Sequence, residues 1–409
     1  MGALQLEGDA AELGFDPRRL ARIQEHFDHY VDDRRLPGWL VTVARGGQVV
    51  YTGKGGHRDR EAGLLVEDDT IWRIYSMTKP LTSIAVMMLY EEGAFDLNDD
   101  AGKWIEELRS ARVYVSGPPT APVTVPATEP VRVHHLLSHM SGLTYGFTYL
   151  HVTDAIYRAN GYDFGFPKGA DLAQAVSDWC SMPLRFQPGS GWNYSVSTDV
   201  LGRLVEIWSG QSLSDFFRER ILDPLGMTDT EWYCPQDKAD RLSTLYYPTP
   251  DGCIPLTDMS ALALKVPRLY GGGGGLLSTA HDYQRFMTML LNGGELDGVR
   301  LVSNRTLDLM TENHLPGDVD LAEYAVDSFS EDQQAGVGFG LGFSVVLDRR
   351  ENKSLVSEGT FAWGGAASTA FWVDPLEDLT VGFYTQLLPS GTHNIRRELQ
   401  QLIYSSLVD

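Results

Sequence analysis

At 409 residues, with 43% hydrophobic and 11% aromatic residues, the chain has the material for a large packed core, so disorder is excluded and two structural lobes are expected. Its 33 Lys and Arg against 55 Asp and Glu leave a net charge of −22 with no basic cluster to interrupt it, which makes nucleic acid and anionic membrane surfaces poor partners. The apolar runs fall well short of the roughly 18 residues that a membrane span requires.

The first residues, Met1-Gly2-Ala3-Leu4-Gln5-Leu6-Glu7-Gly8-Asp9, have neither a basic start nor an apolar stretch, so the sequence as it stands reads as cytoplasmic. Cys180, Cys234 and Cys253 are odd in number and widely spaced, and read as free buried thiols. Asp16-Pro17 opens a helix, with Asp16 as cap and Leu20, Ile23 and Phe27 at helical spacing; it ends before Leu36-Pro37-Gly38. Residues 39–44 and 48–52 flank Arg45-Gly46-Gly47 as a hairpin. Next comes Ser76-Met77-Thr78-Lys79, which opens the apolar run Ile84-Ala85-Val86-Met87-Met88-Leu89. That run predicts a buried helix, and a spacing of three puts the Lys79 amine on the same face as the Ser76 hydroxyl.

From about residue 94, Pro118, Pro119, Pro122, Pro126 and Pro130 mark a long irregular connection, followed by helical pieces over 171–179 and 198–208. The tract 145–166 carries Tyr145, Phe147, Tyr149, Tyr157, Tyr162, Phe164 and Phe166 among glycines without clean periodicity. Such aromatics belong either to the core or to a loop lining an apolar pocket. The glycines at 271–275 read as close backbone packing; no Gly-Lys-Ser or Gly-Lys-Thr follows, which disfavours a phosphate loop. Ser278 or Thr279 caps a helix running to Leu291, and the acidic stretch 318–336 reads as an exposed loop. Alternating segments at 340–348, 368–373 and 379–385 read as antiparallel strands, and 394–407 closes the chain as a helix. The simplest assembly is an α/β (α+β) fold: residues 1–76 and 335–409 form a domain with a central antiparallel sheet flanked by helices, into which a mainly helical domain, 77–334, is inserted.

Competing catalytic signatures are missing from the sequence. There is no Gly-x-Ser-x-Gly elbow, no His-Glu-x-x-His and no Cys/His ligand cluster, and His134-His135 cannot both face one metal from a regular element. Two later segments join the Ser-Lys pair: Gln187-Pro188-Gly189-Ser190-Gly191-Trp192-Asn193-Tyr194-Ser195-Val196, and Phe361-Ala362-Trp363-Gly364-Gly365-Ala366. In this order and spacing they resemble the serine β-lactamase and penicillin-binding-protein superfamily, and within it the family VIII carboxylesterases, which look like class C β-lactamases and include related acyltransferases. Residues 133–143, Asp223-Pro224-Leu225-Gly226-Met227, the glycine stretch and Trp372-Val373-Asp374-Pro375 extend the likeness over nearly the whole chain.

The resemblance implies a β-lactamase-like fold, Ser76 as nucleophile, Lys79 as its amine partner and Tyr194 as the proton relay, with the backbone N–H groups of Ser76 and Ala366 as oxyanion hole. Acyl transfer needs that set: a deprotonated nucleophile, a donor for the leaving group and two N–H groups aimed at the developing oxyanion. Trp363, Gly364, Gly365, Tyr145 and Phe147 are expected around the substrate, a small-molecule ester, with no cofactor and no metal. Monomer and homodimer both stay open. His135 and His139 look like a charge relay, but the resemblance implies a structural role for their stretch, and Arg73 and Tyr75 beside the nucleophile read as packing or pairing locally.

Two departures bear on the substrate. The second motif of β-lactamases commonly reads Tyr-x-Asn where this chain has Val196, and the third usually begins with Lys where this chain has Trp363. Both losses favour a neutral, apolar acyl ester over a β-lactam, because an anionic substrate loses its charge-assisted partner. They also bear on mechanism. Holding a tyrosine as phenolate at pH 7 takes about 4 kcal/mol of environmental help, so the expectation is that a desolvated, neutral Lys79 takes the Ser76 proton while Tyr194 passes protons to the leaving alkoxide and from the deacylating water. Hydrolysis of short to medium acyl esters leads; acyl transfer to an alcohol or amine uses the same machinery, with weak β-lactam hydrolysis and a non-catalytic binding role behind it.

Overall fold

The computed structural model describes residues 4–163, 169–326 and 334–408. Asp16 accepts from the backbone N–H groups of Arg18 and Arg19 and caps the short helix Pro17–Leu20, which leads into helix α1 (Arg22–Asp32). Strands β1 (Gly38–Arg45) and β2 (Gln48–Asp59) follow as the expected hairpin, and β3 (Leu64–Leu65) adds a short outer strand. After the long middle stretch come β4 (Val337–Phe339), β5 (Ser344–Val346), β6 (Phe361–Gly364), β7 (Ala370–Asp374) and β8 (Leu379–Tyr384). They join the first three in one antiparallel sheet of order β4-β5-β6-β7-β8-β1-β2-β3, the two halves meeting where Val43 pairs with Val381.

Alternation along β1 divides the core. Trp39, Val41 and Val43 pack with Ile23 and Phe27 of α1 and with Leu399 and Ile403 of the closing helix Ile395–Tyr404. Leu40 and Ala44 point the other way, into a second and larger core. On that side the helix Ala280–Leu291, capped by Thr279, lies against β1, β7 and β8. It comes from the stretch expected to be inserted, so part of 77–334 covers the sheet. The β1 residue Thr42 donates to Gln284 of this helix at 3.2 Å.

The helix Thr78–Glu91 runs through the large core. Every residue from Thr78 to Leu89 is buried, the pattern of a helix with protein on all sides. It packs on the helix Ser197–Ser209, and the glycine run threads between them: a Cβ at Gly272 would lie 2.9 Å from the Thr198 carbonyl and 3.2 Å from Thr82 Cγ2. Close backbone packing is therefore what these glycines permit.

The structure departs from the sequence reading in three places. The proline-rich connection contains a hairpin, Arg112–Ser116 with Val123–Pro126, whose turn holds Pro118, Pro119 and Pro122; prolines there interrupt no central ladder. The acidic stretch is more than an exposed loop, because the helix Leu321–Tyr324 buries Leu321 and the Trp192 amide donates to the Tyr324 carbonyl at 3.2 Å; residues 327–333 of this stretch lie outside the described residues. Third, β6 itself carries Trp363 and Gly364, where the sequence reading placed the strand after them. The three cysteines are free and buried, and among the described residues no helix is long and apolar enough to cross a membrane.

The turn from β4 to β5 seats on the buried helix: Gly342 has φ 107°, and a Cβ there would come 2.2 Å from the Ser83 hydroxyl. Ser83 is short and buried, so it has nowhere to swing. Gly342→Ala is expected to lower the free energy of unfolding by about 1–3 kcal/mol, read as a lower urea midpoint by circular dichroism; an unchanged midpoint would show that this turn does not lean on the helix.

Candidate active site

Ser76 sits in a single 3-10 turn, Tyr75–Met77, that feeds directly into the buried helix. The preceding Tyr75 has φ 43°, a left-handed conformation that costs a bulky residue energy and is held by its surroundings. One turn on, Lys79 is only 2% exposed, and its Nζ lies 3.2 Å from Ser76 Oγ. The Tyr194 hydroxyl donates to Ser76 Oγ at 2.6 Å from the loop just ahead of the helix Ser197–Ser209. The three residues that sequence order suggested thus meet at one oxygen.

The amine is held from two further directions. Lys79 donates to the Gly273 carbonyl at 2.6 Å and to the Tyr145 hydroxyl at 3.1 Å, and Tyr145 in turn donates to Asp199 Oδ2 at 3.4 Å. Asp199 is buried and also accepts from the Gly273 amide at 2.9 Å. Burial pulls the Lys79 ammonium down from 10.5 to about 7, against the opposing pull of the Asp199 carboxylate. Burial pushes Asp199 up, opposed by Lys79 and the Gly273 amide, and it holds the Tyr145 phenol well above its usual range. As an ammonium, Lys79 has an acceptor for each of its three N–H groups: Gly273, Tyr145 and Ser76. As a neutral amine it keeps the first two and turns its lone pair to the Ser76 hydroxyl. Losing one proton therefore makes a base in place, with no side chain having to move.

The turn after β6 forms the other wall. Gly365 packs so tightly on the Ser76 segment that a Cβ would stand 2.4 Å from the Ile74 carbonyl and 2.2 Å from Thr369 Oγ1. It is set back behind the site, while Ala366 next to it lines the cavity together with Ser76. Trp363 and Gly364 line the same cavity, and the Trp363 ring lies 5.5 Å from that of Tyr194. Phe147 belongs to this cavity and also to a second, with Tyr145, on which it stacks at 4.6 Å. Tyr157 and Tyr162 of the same aromatic tract line that second cavity too; Phe164 and Phe166 lie outside the described residues. Val196 lines it as well, so an apolar group occupies the third place of the second motif.

The sequence matches the family described as Beta-lactamase over residues 23–405. The chain belongs to the beta-lactamase family. It is 31% identical to esterase EstB of Burkholderia gladioli over 94% of this chain and 93% of that protein, and 26% identical to monacolin J acid methylbutanoyltransferase of Aspergillus terreus over 93% and 94%. Among solved structures it is similar to EstCE1, titled a hydrolase with promiscuous acyltransferase activity, at a TM-score of 0.78 and 26% identity over 95% of this chain and 98% of that one. These likenesses put it with the esterase-type serine hydrolases of the family, whose chemistry is ester hydrolysis and acyl transfer.

Other residues of this beta-lactamase-family site fall where their surroundings put them. His139 is buried under Tyr194, ring centres 5.0 Å apart, with Nδ1 3.2 Å from the Ser195 hydroxyl, and burial holds it well below its ordinary range, hence neutral. Burial also lowers His135, to about 3, and its Nδ1 accepts the Arg132 amide. Arg73 donates to the Ser243 and Ser260 carbonyls and so pins the chain before Ser76. Sequence reasoning missed Asp199, Gly273 and Arg396, the last a lining residue of the first cavity. Asp199 left a trace, a lone carboxylate ahead of the apolar Val200-Leu201; Arg396 on the closing helix left none.

Because Asp199 favours the charged amine, Asp199→Asn should lower the pH at which Lys79 loses its proton. The acidic limb of kcat/KM against pH is then expected to move down by about 1 unit, with the Asn amide oxygen still able to receive the Gly273 amide. A limb that stays put, in a variant with normal unfolding, would show that Asp199 carries no charge that Lys79 feels.

Proposed function

We propose that the protein is a carboxylesterase of the family VIII type, cleaving short to medium acyl esters through an acyl-enzyme on Ser76. The observation that carries this is Ser76 Oγ held between the Tyr194 hydroxyl at 2.6 Å and the Lys79 amine at 3.2 Å, with that amine fixed by Gly273 and Tyr145. Lys79 as free amine takes the Ser76 proton while Oγ attacks the ester carbonyl carbon. The oxyanion is received by the backbone N–H groups of Ser76 and Ala366. As the carbon–oxygen bond to the alcohol breaks, Tyr194 gives its proton to the leaving alkoxide, and the Lys79 ammonium restores the phenol. Water then takes the alcohol's place and releases the acid by the same steps in reverse.

Lys79 is the base in this scheme on two grounds, its position and the fall of its ammonium to about 7. The likeness to EstB and EstCE1 supports ester substrates. Val196 and Trp363 leave a β-lactam without the amide and the lysine that the β-lactamase pattern offers it. Acyl transfer is the second reading, favoured by one observation: two cavities meet at Ser76, so an acceptor has space separate from the acyl chain.

The test is turnover of p-nitrophenyl butanoate together with labelling by a fluorophosphonate, the labelled residue being read by mass spectrometry. Ser76→Ala should lose the label and at least about 10³-fold in kcat/KM, and the wild-type rate should fall below a pH of about 7 as Lys79 takes up a proton. A label on any residue other than Ser76 overturns the assignment. Single-turnover acylation by Tyr194→Phe separates the bases: a drop as deep as that of Lys79→Ala removes Lys79 as sole base.

A further inference from the structure

Behind the second of the two cavities at Ser76 lies a further one, which reaches the surface at the exposed Asn160 and Ser181. The wall between them comes from two helices, Val152–Ala159 and Leu172–Ser181. Each helix gives neighbouring residues to opposite sides: Tyr157 and Trp179 line the inner cavity, Ile156 and Asp178 the outer one. Tyr162 lines both, and among the described residues it is the one that the two cavities have in common. At that point the wall is a single side chain thick.

That side chain is held at every part. The Tyr162 amide donates to the Tyr157 carbonyl at 3.0 Å, and its own carbonyl packs against Gly146, where a Cβ would stand 1.9 Å away. The ring meets Trp179 edge to face at 5.3 Å. The hydroxyl donates to Asp178 Oδ2, while Gln174 donates to the other oxygen of that carboxylate at 2.8 Å and keeps it turned to the tyrosine. Tyr162 therefore bridges the two helices as a fixed plug. Beyond it the outer cavity is walled by Pro119 and Pro122 from the turn of the proline hairpin, and by Ile156, Met182 and Pro183, surfaces that suit a hydrocarbon chain.

Which half of an ester lies on the inner side of this plug follows from Tyr194. Ser76 and Ala366 line both cavities at the site, so a carbonyl at Ser76 has one half of the molecule in each, and of the two Tyr194 lines the first. When Ser76 Oγ bonds to the acyl carbon and the bond to the alcohol oxygen breaks, that oxygen receives the Tyr194 proton and so stands on the Tyr194 side. The acyl chain takes the second cavity and points towards Tyr162.

We propose, resting on the ester-hydrolase reading, that Tyr162 is the end wall that sets the longest acyl chain the enzyme accepts, and that the outer cavity is an extension of the acyl site which this tyrosine shuts off. A straight acyl chain ends against the phenol ring. With the ring removed, a longer chain runs on between Pro119, Pro122 and Met182.

The test is kcat/KM on the full chain for p-nitrophenyl esters of straight-chain acids from butanoyl to dodecanoyl, in wild type, Tyr162→Leu and Tyr162→Ala. Burying a methylene is worth about fourfold, so the wild-type value should climb with chain length and then break where the chain meets Tyr162. The break is expected at a longer chain in Tyr162→Leu and to be gone by dodecanoyl in Tyr162→Ala, the dodecanoyl-to-butanoyl ratio rising at least about tenfold over wild type. Leucine keeps an apolar side chain in the wall should alanine fail to fold, and fluorophosphonate labelling of Ser76 identifies the folded variants. A second series, followed by acid release, holds the acyl group at butanoyl and lengthens the alcohol; its length profile should not move. A wild type with no break, or a break that stays in place in both variants, refutes the proposal. So does a gain in Tyr162→Ala that stops short of dodecanoyl, since the chain has then not entered the outer cavity, and so does a shift confined to the alcohol series, which reverses the halves. If wild type turns over no ester and Ser76 takes no label, it is the ester-hydrolase reading that has failed, and this inference goes with it.

Discussion

Taking a lysine out of water is what the rest of this structure has to accommodate. The Thr78–Glu91 helix is surrounded by protein, and Lys79 cannot reach solvent from it. An isolated ammonium in such a place is costly enough that it either finds partners or loses its proton. Both outcomes are provided for. The Gly273 carbonyl and the Tyr145 hydroxyl receive two N–H groups whichever state the amine is in, and Asp199 offsets the charge when it is present. The glycine run has to be glycine for this reason: a Cβ at Gly273 would stand 2.4 Å from Asp199 Oδ2 and 2.9 Å from the Tyr145 hydroxyl, which would break the cradle. Packing of two helices and titration of one amine are thus consequences of the same close approach.

The sheet contributes the opposite half of the site, and it can do so only because its strands come from both ends of the chain. β1 to β3 precede Ser76 and β4 to β8 follow the long middle stretch, so the turn after β6 closes on the Ile74–Ser76 segment late in the chain. Gly365 fixes that approach by its contact with the Ile74 carbonyl. Ser76 and Ala366, carried by two such distant segments, are positioned by the register of the sheet, and rigid elements of this kind hold geometry better than loops do.

Much of this was legible in the sequence. Asp16 as cap, the hairpin around Gly46-Gly47, Thr279 as cap and the burial of the Ser76 helix are all local signals, and the structure has them. The meeting of Ser76, Lys79 and Tyr194 was readable from motif order. What was not readable depends on distant pairing. β4 and β6 are three and four residues long, too short for alternation to register, and their existence depends on neighbours supplied by the rest of the sheet. The proline hairpin failed for a related reason, since prolines at a turn and at a strand end look in sequence like the lack of a strand. Tyr145 was read as a pocket wall, and only the fold reveals that its hydroxyl also touches Lys79.

Arg396 shows where reading by motif stops. The three motifs describe charge near the nucleophile only through their own residues, and by that measure Trp363 and Val196 make the site poorer in cations and amides. A guanidinium, however, reaches from whatever element packs nearby, here a helix some 30 residues beyond the third motif. Its place depends on a vacancy, because Gly364 supplies no side chain where the fork lies. The same glycine that a motif comparison assigns to close backbone approach therefore decides whether a guanidinium lines this cavity. The lining of this cavity is set jointly by a residue missing from one element and a residue present on another, and such a pair has no signature in either segment alone.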